Sequence, residues 1–165
     1  ESEYQATYSV FYQDGRAATK RLRELMGGDC FDFPKDEEVL QEIVALLTKG
    51  DDIIFDFFAG SGTTGHAVMA QNIADGNNRR YILIQLPEPL DPKNKEQKAG
   101  SDYCDGINKS RNIAELTKER IRRVIKKIRG ESKPEEIVKQ DLCFKVFKLQ
   151  PSHFNEWKDY AGQDF

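Results

Sequence analysis

Between Asp56 and Gly65 the chain reads Asp-Phe-Phe-Ala-Gly-Ser-Gly-Thr-Thr-Gly, an acid followed by two aromatics, small residues and paired threonines. Gly60, Gly62 and Gly65 satisfy a G-x-G-x-x-G pattern, which between a strand and a helix can seat a nucleotide-like ligand. No lysine follows the glycines, so this is not a P-loop for nucleoside triphosphates. Asp56 separates the ligands that remain. The pyrophosphate of a dinucleotide would set two negative charges beside this carboxylate, a repulsion that grows in a half-buried site. S-adenosylmethionine has no phosphate; it presents an ammonium and a sulfonium, which an acid at a strand end attracts. The glycines leave room where side chains would collide with the ligand. A nucleoside lying across such a turn needs a partner for its ribose hydroxyls about 20 residues on. Gln85 stands there, with Glu88 as the alternative. His66 follows the turn and reads as a structural or solvent-facing histidine rather than a base.

The elements that must hold this turn lie on either side. Ile53 to Phe58 is a near-continuous apolar run, as expected for a parallel strand buried on both faces. A helix is expected from Thr64 to Ala74, and Tyr81 to Leu86 forms the next buried strand. The three make a β-α-β unit, hence a parallel sheet. Upstream, residues 4–12 read as a strand or extended arm. Apolar spacing predicts helices over Arg16–Met26 and, capped by Asp36, through Leu47. Downstream, Pro87, Pro89 and Pro92 open a polar stretch over 87–110, read as a long loop with room for a short helix. A strong helix spans Ser110–Ile128, a polar linker follows Gly130, and Leu142 to Leu149 alternates with period 2 as a strand open on one side. Phe154, Trp157 and Tyr160 form an aromatic tail that packs on the domain or on a neighbour.

With 165 residues, 38% of them hydrophobic, the chain has material for one core. The net charge of −3 gives no global nucleic-acid signature. Basic residues nevertheless crowd from Lys109 to Arg129, opposed only by Glu115 and Glu119, so a near-neutral total can hide a basic face. Cys30, Cys104 and Cys143 are odd in number and widely spaced, which argues for a reducing compartment and against a disulfide scaffold or zinc site. With only His66 and His153 beside them, metal ligation has little to work with. No apolar run reaches the roughly 20 residues of a membrane span, and no signal-peptide pattern opens the chain. A cytoplasmic protein is expected, and the first residue, Glu1, reads as the start of a fragment.

Four segments then carry a resemblance. Phe31-Asp32-Phe33-Pro34-Lys35, the turn from Asp56 to Thr64, Ile84-Gln85-Leu86-Pro87-Glu88 and Lys118-Glu119-Arg120-Ile121-Arg122-Arg123 resemble, in that order, the modification subunits of type III restriction-modification systems. These are β-class, adenine-N6-specific DNA methyltransferases of bacteria. The likeness runs from about Phe11 to Trp157. It implies a partial Rossmann-like methyltransferase fold, α/β, with a parallel βαβ core and a C-terminal strand. Residues 1–30 would be an arm and helix leading in, 31–130 the S-adenosylmethionine-binding core, and 131–165 a strand with an aromatic tail. The family's cofactor contacts fall on Phe31, Asp32, Phe33 and Lys35 near the methionine moiety. They fall also on Asp56, Phe58, Ala59, Gly60, Ser61, Gly62, Thr63 and Thr64 at the turn, and on Gln85 for the ribose. DNA, a restriction subunit and a second methyltransferase subunit are the implied partners of the full-length protein. The family's catalytic Asp-Pro-Pro-Tyr is not in this sequence, which has no adjacent prolines; Asp91-Pro92-Lys93 lacks both the second proline and the aromatic. Many relatives have proline where Phe57 stands. The resemblance therefore implies the cofactor-binding half alone. Two rival readings stay open: a nicotinamide- or flavin-binding Rossmann domain, and a non-catalytic interaction module using the basic helix and aromatic tail.

Overall fold

The computed structural model describes residues 10, 11 and 14–151. The arm at 4–12 falls almost wholly outside them, and the aromatic tail does so entirely.

Two helices lead in. Helix α1 (Gly15–Met26) starts on Asp14, whose carboxylate accepts the Arg16 N–H, and ends at Gly27 with φ 71°. Helix α2 (Glu37–Leu47) starts on Asp36, which accepts from the N–H groups of Glu38 and Val39. Strand β1 (Ile53–Asp56), helix α3 (Thr63–Asp75) and strand β2 (Arg80–Leu83) form the expected unit. The strands pair in parallel, Ile53 with Arg80 through Asp56 with Leu83. Two further bonds, Ile84 N–H to Asp56 O and Ala59 N–H to Ile84 O, carry the pairing up to the glycine turn. Helix α5 (Ile113–Glu131), capped by Asn112, crosses beneath the turn.

Four expectations change. The sheet is not buried on both faces. Ile54, Tyr81 and Leu83 point inward, whereas Ile53, Phe55, Phe57, Ile82 and Ile84 are exposed on the other side. The apolar run correctly reported a strand of parallel type, but its outer face stays largely exposed among the described residues. The loop over 87–110 holds a three-turn helix, α4 (Lys95–Gly106). Its charged surface hid it from an apolar count, although Asn94 caps it and Gly100, Ser101 and Cys104 are buried. The linker after Gly130 includes a single turn, α6 (Pro134–Ile137), with the Lys133 N–H held by Glu136. Finally, Leu142 to Leu149 forms no strand and pairs with none among the described residues. Leu142 is buried and Phe144 packs beside it, while Val146, Phe147 and Leu149 stay exposed. The expected strand is therefore not formed among the described residues: alternation signals one buried face, but a strand also needs a neighbour for its backbone groups.

Two apolar clusters pack on α5, one near its start and one further along. One joins Leu22, Met26, Cys30, Leu90, Cys104 and Leu116. The other joins Met69, Ile121, Val124, Ile125 and Leu142. Among the described residues no helix is long and apolar enough to cross a membrane.

Candidate functional site

The turn from β1 to α3 is built from its own side chains. Asp56, at the end of β1, accepts the Phe58 N–H at 2.9 Å on Oδ1 and the Thr64 hydroxyl at 2.6 Å on Oδ2. One carboxylate thus closes an eight-residue loop. Gly60 (φ 51°) and Gly62 (φ 80°) lie in the left-handed region, where a side chain is strained. The Gly62 N–H returns to the Ala59 carbonyl at 2.7 Å. Gln85 reaches back from beyond β2 and accepts the Gly60 N–H at 2.8 Å. Its Nε2 donates to the Leu86 carbonyl, so in this arrangement the amide braces the turn. Glu88 is exposed.

The three glycines are used differently. A Cβ on Gly60 would stand 3.7 Å from the Phe31 ring. On Gly62 it would meet Thr117 at 3.2 Å, and on Gly65 the Ile121 Cδ1 at 2.7 Å. Gly62 and Gly65 therefore admit α5 rather than a ligand, and only Gly60 keeps the turn clear toward Phe31.

Beside the turn opens a cleft of about 950 Å³, lined by Lys35, Asp36, Val39, Leu40, Phe55, Asp56, Phe57, Phe58, Thr64 and Phe11. Its size is at the upper end of the roughly 300–1,000 Å³ of small-molecule sites. It brings Lys35, Asp56, Phe58 and Thr64 together from two separate sequence segments. Phe58 is 89% exposed. Ala59, Ser61 and Thr63 are buried behind the turn, so they shape it rather than face the cleft. Phe31 is half-buried against the first apolar cluster, and Asp32 is exposed. Phe33 is 91% exposed with φ 50°, which excludes the core-packing role its type allows. A second cavity, about 180 Å³ beside Asn72, Gly76 and Gln140, lies at the far end of α3.

Beneath the turn sits a group that sequence reasoning placed elsewhere. Arg120, read as part of an outward basic face, is 1% exposed. Its guanidinium donates to Ser61 Oγ at 2.9 Å and Thr63 Oγ1 at 2.8 Å, and approaches His66 Nδ1 at 3.2 Å. Burial pushes its pKa down to about 10, so it stays charged at neutral pH. His66 is held neutral: burial first, and Arg120 next, lower its pKa to about 3. That fits the structural role expected for it. Much of the remaining basic stretch is engaged within the fold. Arg123 meets Glu119 at 2.7 Å and lies over Tyr103; Arg122 lies over Phe144; Arg129 donates to the Leu142 carbonyl. No group of three or more metal-ligating side chains occurs among the described residues.

The sequence profile of the N6/N4 methyltransferases, described as DNA methylase, matches residues 3–119. This chain belongs to the DNA methylase family. It is 38% identical over 130 residues to the type III restriction-modification enzyme StyLTI Mod subunit of Salmonella typhimurium, covering 79% of this chain and 18% of that protein. To the EcoP15I Mod subunit of Escherichia coli it is 34% identical over 145 residues, 87% of this chain and 19% of the other. The type II methyltransferase M.KpnI of Klebsiella pneumoniae is 36% identical over 103 residues, 62% of this chain and 24% of that protein. The chain thus spans about a fifth of the Mod subunits that it matches.

Proposed function

We propose that this chain is the S-adenosylmethionine-binding portion of a site-specific, adenine-N6 DNA methyltransferase of a restriction-modification system. The observation that carries the reading is the cleft beside the Asp56–Gly65 turn, where Lys35, Asp56, Phe58 and Thr64 converge in a DNA methylase. The group fits the residues present. A half-buried carboxylate suits a cationic ligand, exposed aromatic faces suit an adenine ring, and a Cβ at Gly60 would narrow the gap to Phe31.

In this reading Asp56 attracts the ligand's cationic end while fixing the turn through Phe58 and Thr64. Phe31, Asp32, Phe33 and Lys35 hold the methionine end, with Lys35 facing its carboxylate. Phe58 covers the adenine. Gln85 holds the turn through Gly60, and its amide keeps a second N–H and a second oxygen lone pair for the ribose. The bound cofactor supplies the methyl group. Taking an adenine out of the stack, holding its amine and stacking it on an aromatic require the Asp-Pro-Pro-Tyr segment, which this sequence lacks. The full-length enzyme would act on DNA in the bacterial cytoplasm, with a second methyltransferase subunit and a restriction subunit.

Calorimetry with S-adenosylhomocysteine and, separately, NAD tests the reading. Binding of the first and not the second is expected, with a rise in melting temperature that follows ligand concentration. A folded chain that ignores millimolar S-adenosylhomocysteine, or prefers NAD, overturns it. The 165-residue chain should transfer no tritiated methyl group to unmethylated DNA, whereas a longer protein that includes the Asp-Pro-Pro-Tyr segment should.

A further inference from the structure

Arg120 is the largest fully buried side chain in the described fold, and its charge sits directly behind the glycine turn. We propose that Arg120 is a positioning residue for the cofactor turn, acting through Ser61 and Thr63 and tying the turn to the start of α2. The proposal rests on the cofactor reading of that turn.

Three observations meet at this side chain. The first is its fork. One Nη donates to the hydroxyls of Ser61 and Thr63, which are 3.1 Å apart, and the other approaches His66. The guanidinium serves Ser61 and Thr63 from one nitrogen and His66 from the other within one rigid plane, whereas a lysine offers a single nitrogen on a flexible stem. The second is its neighbour one helical turn back. Thr117, on the same face of α5, donates to the Gly60 carbonyl at 2.6 Å. Gly60, Ser61 and Thr63 are thus all anchored to one helix, while Gln85 and Asp56 hold the same turn from the cleft side.

The third is the countercharge. Glu37 lies 3.6 Å from Arg120 and is itself held by Arg21 at 2.5 Å. Glu37 follows Asp36, a cleft-lining residue that Arg21 also binds, at 2.7 Å. Arg120 therefore joins the glycine turn beside the cleft to the cleft wall at the start of α2. A buried charge is costly to desolvate, and apolar residues of equal volume would often be no less stable. Its place here is better explained by fixing geometry than by adding stability.

Amide hydrogen exchange and calorimetry on wild type, Arg120→Lys and Val124→Ala test the proposal. Val124 is buried on the same helix, one turn beyond Arg120, and makes none of the hydrogen bonds to the turn. Arg120→Lys should raise exchange at Gly60–Thr64 at least tenfold more than it raises exchange in α5, and weaken S-adenosylhomocysteine binding about tenfold. Val124→Ala should lower the melting temperature and leave the dissociation constant within twofold. Unchanged exchange at the turn in Arg120→Lys, or an equal affinity loss in Val124→Ala, overturns the proposal. Should Arg120→Lys fail to fold, Glu37→Gln carries the same comparison with the same outcomes. If wild type binds no S-adenosylhomocysteine, the cofactor reading fails, and exchange at the turn alone decides whether Arg120 braces it.

Discussion

Asp56 has two tasks in one carboxylate, and substitution separates them. Asp56→Ala should lower S-adenosylhomocysteine affinity by about 1.5–3 kcal/mol, the usual range for a hydrogen bond to a charged group. Calorimetry checks this, and an affinity within twofold of wild type would place Asp56 away from the ligand. Phe33 presents the opposite case, an exposed aromatic held at φ 50°. Such a conformation costs on the order of 1–3 kcal/mol for a non-glycine residue. Phe33→Gly should therefore melt no lower than wild type yet bind ligand more weakly; a variant that loses stability and keeps affinity would show Phe33 to be structural. His66 makes stability depend on pH. Its folded pKa of about 3 lies below the ordinary 6.5, so between these values the unfolded chain binds a proton that the folded chain excludes. Stability should fall as pH drops through this window, by at most about 1.4 kcal/mol per unit. Urea denaturation between about pH 7 and 5.5 should show a slope that His66→Gln flattens. At this scale, residue types pointed to the tight turn at Gly60, which the structure has. They were silent at Arg120, because a buried arginine and a solvated one carry the same letter and only the partners differ.

Periodicity located α1, α2, α3 and α5 within a few residues, since each shows an apolar face to a core and most begin on a side-chain cap. It missed α4, whose buried positions are small and polar rather than large and apolar. The packing of α3 on α5 explains the third glycine of the motif without a ligand. Gly65→Val would drive a side chain into Ile121 and Leu83. Overpacking of this kind typically costs about 1–3 kcal/mol. Thermal denaturation should show that loss, and Ile121→Val, which removes the nearest methyl group, should restore part of it. Additive losses in the double variant would mean that the two residues do not meet. The glycine pattern is thus partly a helix-packing signal, which is why it recurs in folds that bind quite different nucleotides.

Over the molecule as a whole, the parallel unit and the order of its motifs were readable from the sequence. The state of the sheet's outer face was not, because an apolar run records the tendency to be covered and not the identity of the cover. Among the described residues the sheet has two strands, both outer edges lack a strand partner, and Ile53, Phe55, Phe57, Ile82 and Ile84 remain exposed. This bears on how the polypeptide behaves in a tube. Open edges of β-prone sequence are templates for pairing between molecules, and an apolar face adds to their adhesion. Purified alone at high concentration, the chain should self-associate, with light scattering that rises with temperature before the helices melt. Lysine at Phe55 and at Ile82 should delay that scattering and leave helical circular dichroism unchanged.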